Sequence, residues 1–271
     1  MKPRILMFDS GMGGLTVARA VLRQMPEATV IYAADNAGFP YGSWAEDKLI
    51  RRIVEVMGKL IAAAEPDVVV VACNTASTIA LAELRKTYTV PFVGTVPAIK
   101  PAAAQTRTNV IGVLATPGTV SREYTHALIH TYAYHCKVLL HGARHMAEMA
   151  EHKLKGHGVD LEELKAEMAP VFRSRGGKKT DVVVLGCTHY PLLLEEMEKI
   201  APWPVTFIDP APAIARRVAD VAEETALKPA RVGAPDHGTV ILTSGRGSAS
   251  ETLEAYARMG FPRFMLVDAP V

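Results

Sequence analysis

Two cysteines lie at matching points of two similar segments. Residues 67–75 read DVVVVACNT, and residues 181–189 read DVVVLGCTH. In each segment a buried-strand pattern leads through a small residue to a thiol, Cys73 or Cys187, and then to hydrogen-bonding side chains. Small residues let a ligand approach the backbone closely. Two thiols at equivalent points of two halves can face one carbon from opposite sides, which is what stereoinversion by one acid and one base requires.

A glycine-rich turn at residues 9–16, which reads DSGMGGLT, follows the first strand-like run. This glycine turn matches part of the dinucleotide pattern G-x-G-x-x-G, although Thr16 stands where the third glycine would be. Asp35 follows the second strand-like run, near the usual place of a ribose-binding acid. The turn therefore indicates either a nucleotide site or a backbone that approaches a small ligand while Asp9 reaches into a cleft. Asp9 as the N-cap of the following helix is a third interpretation.

The two thiols have simpler interpretations as well. Free cysteine is a common core residue, and Cys187 with His189 could begin a metal site. The sequence has no C-x-x-C pair and no obvious fourth ligand, so we expect no metal. Recurrence of the thiol in two matching contexts favours chemistry over core packing. Beside Cys187, His189 is either a structural histidine or a residue that relays protons or tunes the thiol.

Composition limits the class of protein. The 271 residues are 49% hydrophobic and 21% charged, which is typical of a soluble globular protein with one large or two ordinary domains. A net charge of +2 predicts no strong attraction to nucleic acid or membranes. No apolar stretch reaches membrane-spanning length and no secretory signal precedes the first strand-like run, so we expect a cytoplasmic location. Three cysteines are too few for a disulfide scaffold, and we expect Cys136 to be structural.

Apolar runs rich in β-branched residues alternate with helix-period segments along the chain. This alternation predicts an α/β fold with mainly parallel sheets. We expect strands at residues 5–8, 29–33, 68–73, 92–95, 110–115, 137–140, 181–186, 205–208, 239–242 and 263–267. We expect helices at residues 15–25, 47–64, 78–87, 121–132, 161–173, 192–200, 211–225 and 248–259.

The similarity between the halves predicts two similar α/β domains. Residues 1–96 plus 211–271 would form the first domain, and residues 97–210 would form the second. In open parallel sheets, ligands bind beyond the carboxyl ends of strands. We therefore expect the site in the cleft between the two domains.

Polar clusters that contain Asp9, Cys73 and Cys187 fall where predicted strands end. Each cluster precedes a helix, whose first amides favour an anion such as a substrate carboxylate. The same amides are expected to lower the pKa of a nearby thiol.

The motifs taken together resemble those of the aspartate/glutamate racemase family, and of bacterial glutamate racemases in particular. The resemblance covers FDSGMGGLTV at 8–17, AAD at 33–35, PYG at 40–42, ACNTA at 72–76, the segment 110–121 and LGCTHYPL at 185–192. It implies cofactor-independent interconversion of L- and D-glutamate, which supplies D-glutamate for peptidoglycan. It also implies two domains related by a pseudo-twofold axis, with the substrate between them.

The resemblance assigns roles to individual residues. Cys73 and Cys187 would be the two acid/base residues, with Asp9 and His189 as their helpers. The substrate would be bound by Asp9, Ser10, Tyr41, Gly42, Asn74, Thr75, Thr119, Thr188 and His189. A further catalytic glutamate of the family lies on a helix of the second domain. Glu151 is the better match here and Glu148 is the alternative, because the segment around them is unusually polar.

The resemblance also implies a homodimer that acts on a small amino acid and uses neither nucleic acid nor a membrane. Some family members carry an N-terminal extension linked to activation by a cell-wall precursor, and we expect none here because the chain begins at its first strand. Racemisation of aspartate or another small amino acid is the nearest alternative function. A nucleotide-dependent oxidoreductase is a more distant one.

Overall fold

The fold is built on two parallel β-sheets, as the α/β prediction requires. The computed structural model describes residues 2–175, 177–227, 229, 232–245 and 250–269. Within these residues the strands are β1 Arg4–Asp9, β2 Thr29–Ala34, β3 Val68–Val71, β4 Phe92–Gly94, β5 Val110–Ala115, β6 Lys137–Gly142, β7 Ser174–Arg175, β8 Lys178–Lys179, β9 Val182–Gly186, β10 Thr206–Ile208, β11 Thr239–Leu242 and β12 Arg263–Leu266.

Helices connect these strands. Those in the described residues are α1 Leu15–Gln24, α2 Glu46–Ala64, α3 Asn74–Thr87, α4 Ile99–Gln105, α5 Pro117–Val120, α6 Glu123–Tyr132, α7 Met146–Leu154, α8 Leu161–Met168, α9 Leu194–Ile200, α10 Ala211–Glu224 and α11 Ser250–Arg258. Short 3₁₀ turns lie at Tyr41–Ser43, Ala169–Val171 and Tyr190–Leu193. None of the helices in the described part of the chain is long and apolar enough to cross a membrane.

The first sheet has the strand order β12-β11-β2-β1-β3-β4, and all of its pairings are parallel. Strands β1 and β3 are buried along their whole length, because helices cover both faces and continuous apolar runs fill the space between them. Helices α1 and α10 pack against one face, and α2 and α3 pack against the other. Because β1 and β3 pair in parallel up to Phe8 and Val71, their carboxyl ends lie side by side at one edge of the sheet.

The second sheet has the strand order β10-β9-β5-β6, again parallel throughout. Side chains of α7, α8 and α9 form the core on one face, and side chains of α4 and α6 form it on the other. Strands β7 and β8 pair separately as an antiparallel ribbon. The first sheet takes its strands from residues 4–94 and 239–266 and the second from residues 110–208, while the domain boundaries themselves stay a prediction.

The segment around the first thiol differs from its prediction. Pairing in β3 stops at Val71, and α3 begins at Asn74 instead of residue 78. Cys73 therefore occupies the N-cap position of α3 with an extended backbone. Short polar side chains such as those of Asn74 and Thr75 favour turns in isolation, but burial against the sheet extends the helix through them.

Other element predictions also needed correction. Helices α4 and α7 were not predicted, because α4 contains Pro101 and α7 is short and polar. The helix predicted at 161–173 ends at Met168, where Pro170 leads into a 3₁₀ turn. Ser248 and Ala249, which the pattern placed at the start of the last helix, lie outside the described residues.

Candidate active site

Both thiols open onto one small cavity between the two sheets. Cys73 and Cys187 are 7% and 6% exposed. The cavity is lined by Ser10, Phe39, Pro40, Tyr41, Gly42, Cys73, Asn74, Thr75, Thr116, Ala147, Cys187, Thr188 and His189. Its volume of about 30 Å³ is enough for roughly two water molecules at ~10–15 Å³ each. The carboxyl ends of strands from both sheets therefore converge on a single small cavity.

Cys73 lies at the start of α3, and one amide of that helix donates to its sulfur. The Ala76 N–H donates to Cys73 Sγ, and Ser10 Oγ lies 3.9 Å from the same atom. Burial, together with the negative charge of Asp9, nevertheless raises the pKa of Cys73. The expected lowering of a thiol pKa by a helix start is therefore wrong for Cys73, because desolvation outweighs the amide hydrogen bond. The structure favours the protonated thiol at this position.

Cys187 has a histidine beside it and a carboxylate behind the histidine. Its Sγ lies 3.8 Å from Nδ1 of His189. Nε2 of His189 lies 3.2 Å from Oε1 of Glu151, which also accepts the Met12 N–H at 2.8 Å. The side chains of His189 and Glu151 are only 3% and 12% exposed. Thiol, imidazole and carboxylate thus form a chain in which the carboxylate orients the group next to the nucleophile.

Neighbouring charges and hydrogen bonds shift the pKa values of His189 and Glu151. Burial lowers the pKa of His189, but hydrogen bonds to Cys187 and Glu151 and the negative charge of Cys187 outweigh burial and raise it well above its ordinary value. Burial raises the pKa of Glu151, but the hydrogen bond and charge of His189 and the Met12 N–H outweigh burial and lower it. The pair therefore favours an imidazolium next to a carboxylate.

Asp9 is fully buried and joins the two halves of the site. One carboxylate oxygen accepts the Gly11 N–H at 2.9 Å and the Ser10 hydroxyl at 3.4 Å, and the other accepts the Thr188 hydroxyl at 2.9 Å. Burial raises the pKa of Asp9 although these hydrogen bonds oppose it. Asp9 is not the N-cap of α1, because that position belongs to Gly14. Its carboxylate instead accepts hydrogen bonds from Ser10, which contacts Cys73, and from Thr188, which directly follows Cys187.

Three threonine hydroxyls form a cluster at one end of the cavity. Thr116 Oγ1 lies 3.0 Å from the hydroxyl oxygens of both Thr75 and Thr119, which lie 3.4 Å from each other. Beside them, the buried side-chain amide of Asn74 has no hydrogen-bond partner at either its oxygen or its nitrogen. An unsatisfied buried amide is costly, so this cavity wall is suited to a polar ligand.

The acid that could have bound a ribose is used elsewhere. Asp35 is fully buried, and its carboxylate accepts hydrogen bonds from Arg52 at 2.6 and 2.7 Å, from Thr243 at 2.6 Å and from the Tyr41 hydroxyl. These contacts occupy both carboxylate oxygens. The glycine turn with Asp35 therefore does not form the nucleotide site that the sequence left open.

The cavity gathers most of the predicted site residues. Those that line it are Ser10, Tyr41, Gly42, Cys73, Asn74, Thr75, Cys187, Thr188 and His189. Asp9, Thr119 and Glu151 lie one layer behind the wall, and Glu148 is exposed. Within the described residues, no group of three or more histidine, cysteine, aspartate or glutamate side chains is arranged to hold a metal ion.

Sequence reasoning missed four residues of the cavity wall, which are Phe39, Pro40, Thr116 and Ala147. Thr116 directly follows β5 at a strand end, and this position was the signal that could have identified it. Phe39 places its ring 5.6 Å from the His189 ring, in a loop that the sequence marked only for its tyrosine and glycine. Ala147 lies on the unpredicted helix α7 and carries no signal of its own.

We expect Glu151→Gln to destabilise the fold in a pH-dependent way. Because the folded-state pKa of Glu151 lies below its ordinary 4.5, the carboxylate stabilises the fold above about pH 4.5 and loses this contribution as pH falls through the lower value. The free energy of unfolding measured with urea at pH 7 is expected to fall by about 1.5–3 kcal/mol, the value of hydrogen bonds to charged groups. The difference in stability between Glu151→Gln and the parent chain becomes smaller as the pH falls. Glu148→Gln, at an exposed position of the same helix, is the control, and a pH-independent loss in Glu151→Gln would contradict the argument.

Comparisons with known proteins agree with this geometry. Residues 15–218 match the family model described as Asp/Glu/Hydantoin racemase. A glutamate racemase from Brucella ovis is 54% identical over 215 residues, which cover 79% of this chain and 78% of that protein. A glutamate racemase from Brucella anthropi is 53% identical over 228 residues, which cover 84% and 80% of the two chains.

Solved structures give the same result. The crystal structure of Escherichia coli glutamate racemase, in complex with L-glutamate and the activator UDP-MurNAc-Ala, superimposes with a TM-score of 0.91 at 39% identity and covers 99% of both chains. A glutamate racemase isoform from Bacillus anthracis superimposes with a TM-score of 0.81 at 29% identity, over 99% of this chain and 98% of that one.

Fold and site together define a class of α/β protein in which two buried thiols, each following a strand of a different sheet, share one small cavity. Two thiols that share a cavity can serve as the base and the acid of one proton-transfer reaction. The chain belongs to the Asp/Glu/Hydantoin racemase family.

Proposed function

We propose that the chain interconverts L- and D-glutamate by proton transfer at the α-carbon between Cys73 and Cys187. The observation that carries this proposal is the shared cavity, onto which two buried thiols open from strand ends of different sheets. Racemisation needs a base on one face of the carbon and an acid on the other. The relatives named glutamate racemase, and the complex of the Escherichia coli enzyme with L-glutamate, favour glutamate as the substrate. The product D-glutamate supplies peptidoglycan synthesis.

The two thiols begin the reaction in different states. Cys187, next to the imidazolium of His189, is the thiolate that removes the α-proton, and Cys73 is the thiol that donates a proton to the opposite face. After the transfer Cys187 holds the substrate proton and Cys73 is the thiolate. The same pair then serves the reverse direction, with Cys73 as base and Cys187 as acid.

The carbanion-like transition state needs stabilisation by groups that are already in place. The unpartnered amide of Asn74 and the hydroxyls of Thr75 and Thr188 line the cavity and can bind the carboxylates and ammonium group of the substrate. The first amides of α3 face the same space and favour negative charge. Exclusion of water strengthens each of these contacts.

The described cavity is too small for its proposed substrate. A space of about 30 Å³ holds roughly two water molecules, whereas an amino acid with two carboxylates does not fit. Substrate entry therefore requires the cavity walls, which come from both sheets, to move apart and close again. In this structure both thiols are largely shielded from solvent, with Cys73 7% and Cys187 6% exposed.

Incubation of the pure protein with L-glutamate in deuterium oxide tests the proposal. We expect D-glutamate to accumulate with deuterium at the α-carbon. The donating thiol has exchanged with solvent, so it delivers a deuteron to the face opposite the one that was deprotonated. L-Aspartate is tested in parallel. No change of chirality would overturn the racemase proposal, and faster conversion of aspartate would reassign the substrate.

We also propose a homodimer in the cytoplasm, with domains at residues 1–96 plus 211–271 and 97–210. The family resemblance supports the dimer, and the membership of the two sheets supports the domain division. Sedimentation of the pure protein over a range of concentrations tests the dimer.

A further inference from the structure

The glycine turn contacts catalytic side chains of the second sheet. The Gly13 N–H donates to Nε2 of His189 at 3.1 Å, and the Met12 N–H donates to Oε1 of Glu151 at 2.8 Å. A Cβ at Gly13 would lie 2.4 Å from Nδ1 of His189, and one at Gly11 would lie 2.1 Å from Oε1 of Glu151. The glycines are therefore needed so that these side chains can approach the backbone. A phosphate-binding role is not required to explain them.

When the His189 ring is neutral, the Gly13 amide restricts which nitrogen carries the proton. An amide N–H only donates, so Nε2 must be the acceptor in that hydrogen bond. A neutral imidazole has one N–H, which is then on Nδ1 and faces Cys187 Sγ at 3.8 Å. When Nε2 is protonated as well, its N–H is accepted by Glu151 Oε1 at 3.2 Å. Nδ1–H faces the sulfur in both states.

We propose that the glycine turn keeps Nδ1–H of His189 facing Cys187 in both ring states, so that His189 stabilises the thiolate and does not remove the thiol proton. The Gly13 amide does this when the ring is neutral, and the Met12 amide, which holds Glu151, does it when the ring is charged. This inference deepens the proposed function and rests on it. It decides between the two roles that the sequence left open for His189, proton relay and thiol tuning. Met12 and Gly13 act through their backbone amides as positioning residues.

Thr16 supplies the side chain that fixes this geometry. Its Oγ1 lies 2.9 Å from the carbonyl oxygen of Gly13 and 3.2 Å from that of Thr188. One hydroxyl therefore contacts both the residue that carries the amide donor and the residue before the imidazole. Thr16 touches neither the cavity nor the thiols in the described structure, so replacing it changes the position of His189 without removing a reacting group.

Alkylation of the free protein tests the inference. Thr16→Val, Thr16→Ser and the parent chain are treated with iodoacetamide at pH 7 without substrate, and the rates at Cys187, Cys73 and Cys136 are read by peptide mass spectrometry. We expect Thr16→Val to lower the ratio of the Cys187 rate to the Cys73 rate by about three- to tenfold, the range for one lost neutral hydrogen bond. Thr16→Ser keeps the hydroxyl and is expected to restore the ratio.

The controls distinguish a change in the position of His189 from a general loosening of the structure. Thr87→Val removes a hydroxyl that donates only within α3, to the Glu83 carbonyl, at an exposed position, and is expected to leave the ratio unchanged. Cys73 and Cys187 share one cavity, so altered access changes both rates together. An unchanged or increased ratio in Thr16→Val, or a loss that Thr16→Ser does not restore, would overturn the inference. Since no substrate is present, a failure to racemise glutamate does not affect this readout.

Discussion

Replacing Cys73 or Cys187 by alanine is expected to lower the racemisation of glutamate by about 10³-fold or more, because general acid–base groups each contribute about 10²–10⁴-fold. Each replacement removes one of two groups that must act on the same carbon. The remaining thiol keeps its own surroundings, Ser10 and the amides of α3 on one side or His189 and Glu151 on the other. We therefore expect each variant to exchange the α-proton of one enantiomer only, and the two variants to act on opposite enantiomers.

The measurement follows chirality and α-deuterium separately, starting from each enantiomer in deuterium oxide. Cys136→Ala is the matched control, because Cys136 is a free, half-buried cysteine that packs against the second sheet and does not line the cavity. Its racemisation rate is expected to stay within about twofold of the parent chain. Rapid racemisation by either active-site variant would exclude the two-thiol mechanism. Exchange of the same enantiomer by both variants would exclude the opposed arrangement of the thiols.

The sequence was sufficient to place the main parts of this site. Polar residues after continuous apolar runs predicted that Asp9, Cys73 and Cys187 lie at strand ends, and parallel sheets bring such ends together. The cavity that contains both cysteines confirms this local reasoning. This reasoning succeeded because neighbouring residues determine both the burial of a strand and the alternation of strands with helices.

Contacts between distant segments could not be predicted in the same way. The glycine turn has the composition of a ligand-binding loop, and only the folded chain reveals that Gly13 contacts His189 across 176 positions. Asp35 likewise resembled a ribose-binding acid until its pairing with Arg52 and Thr243 was visible. The direction in which the pKa of Cys73 shifts depends on how completely the thiol is buried, which no local motif indicates.

Replacing Arg52 by methionine is expected to destabilise the fold by about 3–5 kcal/mol, the cost of leaving one partner of a buried ion pair uncompensated. Asp35 is fully buried and the Arg52 side chain is 9% exposed, with a nitrogen–oxygen distance of 2.6 Å. Arg52 also donates to the Ala269 carbonyl and lies over the Trp44 ring. Methionine retains much of the apolar stem but leaves the Asp35 carboxylate without its cation.

Arg51→Met is the matched control on the neighbouring position. The Arg51 side chain is 69% exposed and its partner Asp47 is 68% exposed, so solvent screens that pair, and its loss is expected to cost less than about 0.5 kcal/mol. Urea unfolding and the melting temperature of both variants are compared at pH 7. Because Asp35 also accepts a hydrogen bond from Tyr41, which lines the cavity, Arg52→Met is expected to raise KM for glutamate as well. Equal stability of the two variants would mean that the buried carboxylate becomes protonated or finds another partner when its arginine is removed.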